Sequence, residues 1–464
     1  MENSHGLPFA EKISYGLGDL ASSMFWKLFS FFLLFFYTDI FGITAAAAGT
    51  MLLVTRFWDA ANDPIMGMIG DRTRSRWGKF RPYLLFGAVP FAVVGVLTFT
   101  TPDWSAGGRL VYAYVTYTLM MMVYTAVNVP YASLMGVMST DTEERTSLAS
   151  WRFVGAFSGG LLVTATANPL IEFFNSRLGN EATAFQLTVA VYAVLAAAFF
   201  MLTFAGTRER LRPAAVRSLR LREDVADLLK NGPWFLMLGA GISVLIFNSI
   251  RDASILFYFK YYVGDQTVQF VGEVGQGALA SAFMSSLLIA NIMGVLAAKP
   301  VSSSIGKKRT FILSGVVTTI LSVLFYFVPP HQIYLMFFVN VLVGVSSGIV
   351  LPLMWAMYAD VSDYSEWKTG RRATGLIFSS SSMSQKIGWT VGGAVAAWLL
   401  AAFGFVANMV QGDGSLLGIR LMISVIAGAG ALLSVVFMVR YPLSKARMLQ
   451  ITSELEAVRQ LGTA

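Results

Sequence analysis

Asp59 and Asp63 stand four residues apart in the run Arg56-Phe-Trp-Asp-Ala-Ala-Asn-Asp-Pro64, inside a long apolar stretch. At about 100° per residue, Arg56, Asp59, Asn62 and Asp63 share one polar arc of a helix. Like charges at i, i+4 repel, so the two carboxylates need a positive group beside them. A bound cation is one answer, because carboxylate and amide oxygens are hard ligands for hard cations. The other is a structural network in which Arg56 and Lys386 neutralise the aspartates. Pro64 leaves the Ala60 carbonyl without its helical donor, which offers a further ligand oxygen.

Other polar residues recur at helical spacing in apolar surroundings. Tyr124, Asn128 and Tyr131 form a stripe with Thr125 beside it, suited to an uncharged, hydroxyl-rich ligand. Ser379, Ser382, Lys386, Trp389 and Thr390 share another face. Asp19, Ser23 and Lys27 follow at i, i+4, i+8 with Ser22 and Trp26 close by, and Asn248, Arg251 and Asp252 make a further group. A charge at the centre of a membrane span costs about 2.5–3.5 kcal/mol, so a lone Lys386 must face a carboxylate or water. Trp26, Trp355 and Trp389 are able to stack on a sugar ring. Interhelical hydrogen bonding, small-residue packing and interface anchoring compete as explanations for the Tyr–Asn stripe, the serines and the tryptophans. For Arg251 and Asp252, a self-pair competes with a ligand contact.

The elements that position these residues must be membrane helices. Of 464 residues, 56% are apolar and 13% charged, and the mean hydropathy is +0.63. Soluble chains carry about 25% charged residues, so a soluble enzyme, a disordered chain and a secreted disulfide scaffold are excluded. Cys is absent and His occurs only at His5 and His331, which leaves no disulfide framework and no Cys- or His-based metal centre. Apolar stretches near 17–39, 46–70, 82–101, 110–137, 149–169, 184–205, 233–259, 277–298, 310–328, 332–358, 373–403 and 417–440 are each long enough to cross a bilayer core of about 30 Å. The sequence thus predicts an all-α membrane protein with twelve transmembrane helices. The first stretch is too long for a cleavable signal.

Basic residues collect in alternate loops: Arg72, Arg74, Arg76, Lys79 and Arg81; Arg208 through Lys230; Lys299, Lys307, Lys308 and Arg309; Lys368, Arg371 and Arg372. The positive-inside rule puts these loops and both termini in the cytoplasm. It also explains the net charge of +8 as a topology signal facing anionic membrane lipid, and nucleic acid is not an expected partner. The polar segment 207–231 separates two halves, 1–206 and 232–440, that echo each other in the turns Gly78-Lys79-Phe80-Arg81 and Gly306-Lys307-Lys308-Arg309. Two pseudo-symmetric six-helix halves are a transporter architecture. Arg145 and Asp360 or Asp363 fall in equivalent loops after the fourth and tenth spans, and their opposite charges suggest a cytoplasmic gate. The tail, 441–464, reads as an amphipathic cytoplasmic helix through Met448, Ile451, Leu455 and Val458.

No nucleophile–base pair and no G-x-x-x-x-G-K-[ST] phosphate loop occurs. The expected protein is therefore not an enzyme, uses no cofactor, and takes its energy from an ion gradient.

The span 2 run, continued by Met66-Gly67 and by Arg74-Ser-Arg-Trp-Gly-Lys-Phe-Arg-Pro82, resembles the glycoside–pentoside–hexuronide:cation symporter family, which includes melibiose permease and has the major facilitator fold. The resemblance extends through Ser14-Tyr-Gly-Leu-Gly18, Tyr37-Thr-Asp39, Glu144-Arg145, Arg152, Ala359–Lys368 and Lys386, nearly the whole chain. It implies a cation site of Asp59, Asn62, Asp63 and Thr125, with sodium, where it is the coupling ion, on Asp59 and Asp63. It implies that Arg152 binds the sugar, that Lys386 lies near both the cation and the sugar sites, and that Tyr124 is the span 4 tyrosine beside the threonine. Melibiose permease has aspartates where this chain has Ser23 and Asn128, and a tryptophan where it has Ala132. The pocket is thus not the galactoside version.

The function expected is import of a sugar or glycoside with a sodium ion or a proton by a monomer in a bacterial inner membrane. Ser23, Tyr124, Asn128, Arg152, Lys386 and Trp389 form the sugar-binding set. Movement of an amphiphile such as a lysolipid is the alternative. Without the two aspartates, the surroundings of Arg152 and Lys386 become more positive, which favours a sugar bearing its own acid or acceptor; Asp19, one turn earlier, is a candidate replacement carboxylate.

Overall fold

Apolar periodicity is realised almost everywhere as helix. The computed structural model describes residues 7–139, 142–210, 231–269, 271–369 and 374–461; the side chains of some residues inside helices, including Arg56, Asp59, Arg145, Ser379 and Ser382, lie outside the description. The helices are α1 (Phe9–Lys27), prolonged by π-turns over Leu28–Leu33 and Phe36–Ile40, α2 (Ala45–Arg72), α3 (Arg81–Thr98), α4 (Ala106–Met138), α5 (Thr142–Leu178) and α6 (Glu181–Gly206). After the central segment come α7 (Gly232–Phe257), α8 (Gln276–Ile305), α9 (Lys307–Phe325), α10 (Ile333–Thr369), α11 (Thr374–Ala402), α12 (Asp413–Arg440, with a π-turn at Met422–Ile426) and α13 (Lys445–Leu461). A short hairpin of β1 (Gln266–Val268) and β2 (Gly272–Val274) precedes α8. Among the described residues, nine helices are long and apolar enough to cross a membrane.

Several helices outrun the spans read from hydropathy. α5 and α10 have 37 residues each, about 55 Å at 1.5 Å per residue, against a core of about 30 Å. The Arg145 and Asp360–Asp363 positions, expected in loops, are helical as a result. A helix satisfies its own backbone in water as well as in lipid, so leaving the apolar core does not terminate it.

The chain divides into two compact units, one of Met1–Ala215 with Glu273–Ser285 and Leu400–Gly412, the other of Val216–Gly272, Ser286–Leu399 and Asp413–Ala464. In the second, Trp234, Met237, Met354, Tyr358 and Met438 pack with Ile451 and Leu455 of α13, with Met448 partly buried against them; the Val458 side chain lies outside the description. Arg251 is spent internally there: Nη2 donates to Asn340 Oδ1 at 2.7 Å and Nη1 to the Ile423 carbonyl at 2.9 Å.

In the first unit, the turn before α3 binds a carboxylate. Gly78 has φ +108°, and a Cβ there would strike the Glu209 carboxyl group. Glu209 accepts from the backbone N–H groups of Lys79 at 2.8 Å, Phe80 at 2.7 Å and Arg81 at 2.9 Å. These donors have no partner within the helix, and the positive end of its dipole favours a negative charge. The segment leaving α6 thus ties down the turn that carries the basic signature. Glu209→Ala is expected to destabilise the protein by about 1–3 kcal/mol by stranding these donors, read as a lower melting temperature. A melting temperature equal to wild type would assign the contact no energetic weight.

Candidate functional site

The site grows from the contact of α1 with α5. A Cβ at Gly155 would overlap the Gly16 carbonyl oxygen, one at Gly159 the Leu20 carbonyl oxygen, and one at Gly16 the Trp151 carbonyl oxygen. Backbone therefore lies on backbone, as small residues four apart permit. This approach brings Asp19 to Arg152: Nε to Oδ2 is 2.8 Å, and Nη2 to Oδ1 is 3.5 Å. The guanidinium stands 5.2 Å over the Tyr131 ring. Tyr131 stacks on Tyr15 with centroids 4.9 Å apart, and its hydroxyl donates to the Tyr15 carbonyl at 2.7 Å. Gly18 is the seat of that ring, since a Cβ there would collide with it.

One turn along α1, Ser22 donates to Asn128 Oδ1 at 2.7 Å, and Asn128 Nδ2 donates to the Tyr124 carbonyl at 3.0 Å. Tyr124 lies between Trp26, at 6.0 Å, and Phe91, at 6.1 Å between ring centroids. The polar stripe of α4 thus meets α1 through Ser22; Ser23 is half-buried on the same helix. The Asp19 carboxylate, offered by the sequence as a replacement one turn earlier, faces the Arg152 charge.

The cation-site candidates converge in part. Thr125, buried on α4, donates to Asp63 Oδ1 of α2 at 3.0 Å. Asn62 is buried, and its Nδ2 finds no hydrogen-bond partner among the described residues. Turning that amide over presents its oxygen instead. The Asp59 and Arg56 side chains lie outside the described residues. In the second unit, Lys386 and Trp389 are half-buried on α11, and Thr390 donates back to the Lys386 carbonyl at 2.6 Å. Of the residues expected to form a gate, Arg145 lies outside the described side chains, while Asp360 is held by Lys307 Nζ at 2.6 and 2.8 Å.

A polar, hydrogen-bonded face of this kind on apolar membrane helices suits a hydroxylated solute, and the sequence comparisons agree. The profile of the MFS/sugar transport protein family matches residues 14–445. The chain belongs to this family. It is 37% identical over 439 residues to the inner membrane symporter YicJ of Escherichia coli (strain K12), covering 94% of this chain and 92% of the relative. It is 36% identical over 472 residues to the putative glycoside/cation symporter YagG of the same strain, covering 99% of each. The crystal structure of the nucleoside transporter NupG shares the fold, with a TM-score of 0.62 at 15% identity over 93% of this chain and 100% of that one. The protein is thus a multi-pass membrane transporter of the major facilitator type and not an enzyme.

Sequence reasoning missed two features of this site. The Gly155-x-x-x-Gly159 spacing was a readable signal for the α1–α5 contact. The choice of Ser22 as the Asn128 partner had no such signal.

Proposed function

We propose that this transporter is a secondary active symporter that imports a sugar or glycoside with a monovalent cation, sodium or a proton. It works by alternating access of two six-helix halves, with twelve membrane helices and cytoplasmic termini. The hydrogen bond from Thr125 to Asp63 carries the reading. The hydroxyl oxygen keeps lone pairs, so two helices bring a hydroxyl and a carboxylate oxygen together, and the adjacent Asn62 can add its amide oxygen to make a hard-ligand set. Asp59, a turn earlier, completes it. The sugar is read by Arg152, Tyr124, Asn128 and Ser23, with Lys386 and Trp389 included for their residue types and the family resemblance. A relative named as a glycoside/cation symporter supports the substrate class.

Purified protein heated in sodium, lithium or potassium salts over a pH series, against a panel of glycosides, tests the proposal. The expected result is stabilisation by sodium or by protons that a fitting glycoside increases. No stabilisation by any cation–glycoside combination would overturn it.

Asn128 offers a narrower check. Its Nδ2 donates to a carbonyl, where an aspartate oxygen would face acceptor against acceptor. Asn128→Asp is expected to weaken binding of the transported glycoside about tenfold, the scale of one hydrogen bond lost within a buried network. Unchanged affinity across the panel, measured by titration, would put Asn128 outside the pocket.

A further inference from the structure

Building on the sugar-transport reading above, we propose that Asp19 sets the charge of the ligand. Its carboxylate and the Arg152 guanidinium act together as one recognition unit for two adjacent hydroxyls of a neutral sugar, and they reject sugar acids.

The geometry of the pair is one-sided. The short contact runs from Nε to Oδ2, 2.8 Å, while Nη2 to Oδ1 is stretched to 3.5 Å. A fully two-pronged arginine–carboxylate pair would occupy both oxygens with parallel short bonds. Here Oδ1 keeps acceptor capacity next to guanidinium N–H donors. A vicinal diol has the matching pattern, one hydroxyl donating to Oδ1 while its neighbour accepts from the guanidinium.

The pair is also accessible and held in place. The side chains of Arg152 and Asp19 are 28% and 17% exposed. Each residue lies within three positions of the start of its apolar stretch, 17–39 and 149–169, where a charged group reaches water at little cost. Beneath the guanidinium, Tyr131 is fixed by its stack on Tyr15, its hydrogen bond to the Tyr15 carbonyl and its seat against Gly18. Because the backbones of α1 and α5 already touch at Gly16, Gly155 and Gly159, the ion pair is not needed to join the helices.

Charge then decides what binds. A sugar carboxylate approaching Arg152 meets the Asp19 carboxylate on the same guanidinium. It must either tolerate a like charge at contact or displace Asp19 and strand it without its counter-charge, and both are unfavourable. A neutral pyranose ring meets neither obstacle.

The test is equilibrium binding of matched 4-nitrophenyl glycopyranosides and glycopyranosiduronates, which differ only at C6, in the presence of sodium and at neutral pH. The wild-type protein is expected to prefer the neutral member by about tenfold or more, the scale of a charge-assisted contact. Asp19→Asn is expected to weaken the neutral ligand and to move the neutral-to-acid affinity ratio about tenfold towards the uronate. The double variant Asp19→Asn with Arg152→Gln removes both charges and guards against misfolding of the single variant. It is expected to lose the neutral glycoside without gaining the uronate. A purely structural pair would lower the melting temperature of Asp19→Asn and leave the affinity ratio unmoved, and that result overturns the proposal. Wild-type preference for the uronate overturns it as well, while leaving the symporter reading intact. Binding of no member of the panel by the wild type would instead count against the sugar-transport reading itself, and this inference would fall with it.

Discussion

Asp63→Asn is expected to abolish cation-driven sugar accumulation while leaving exchange of sugar down its own gradient. Asp63 receives the Thr125 hydroxyl at 3.0 Å, so the asparagine preserves size and one acceptor oxygen. What it removes is the negative charge. A cation in a site shielded from bulk water is held mainly by that charge, since Coulomb attraction grows as the dielectric constant falls. Truncating one member of a buried charge pair costs about 3–5 kcal/mol, a loss in cation affinity of roughly a hundredfold to a few thousandfold. Cation binding is expected to weaken on that scale, and the downhill ion flux then no longer couples efficiently to the sugar. Radiolabelled-sugar uptake into proteoliposomes, with and without an imposed sodium or proton gradient, separates the two activities. Normal gradient-driven accumulation by Asp63→Asn would remove Asp63 from the coupling site. Asp59→Asn is expected to behave in the same way because of its place on the same arc.

The second large effect is expected at Gly155. Adding one methyl group there drives it into the Gly16 carbonyl oxygen. The obstacle is backbone, which cannot rotate away as a side-chain tip would, so α1 and α5 must separate. Overpacking of this kind costs about 1–3 kcal/mol, sometimes more. Because the Asp19–Arg152 contact depends on the same helix approach, Gly155→Ala is expected to lose sugar affinity as well as thermal stability. Gly136→Ala is the control: beyond its own helix turn, no atom among the described residues lies within 4 Å of its Cβ position, and alanine exceeds glycine in helix propensity by about 1 kcal/mol. A melting curve for Gly155→Ala that overlays that of Gly136→Ala would show that the two helices are not in backbone contact.

The sequence by itself determined the membrane-helix class, the polar arcs of α2 and α4, and the family. These are properties of a single element: burial in lipid forces long apolar runs, helical spacing puts Asn62 and Asp63 on one side, and each charge inside a span stands out because it is costly. The apolar stripe of the tail, buried through Ile451 and Leu455, was legible for the same reason. Tertiary structure alone decided which arc meets which. Ser22 and Ser23 both lie near Asp19 on the α1 wheel, and only the approach angle of α4 selects Ser22 as the partner of Asn128. Asp19 and Arg152 are 133 positions apart, and no local pattern records which helix packs on Gly155 and Gly159 of α5 or that this packing brings the pair within hydrogen-bond reach. Helix ends were hidden too, because hydropathy reports where lipid stops, whereas α5 and α10 stop only where their backbone hydrogen bonding does.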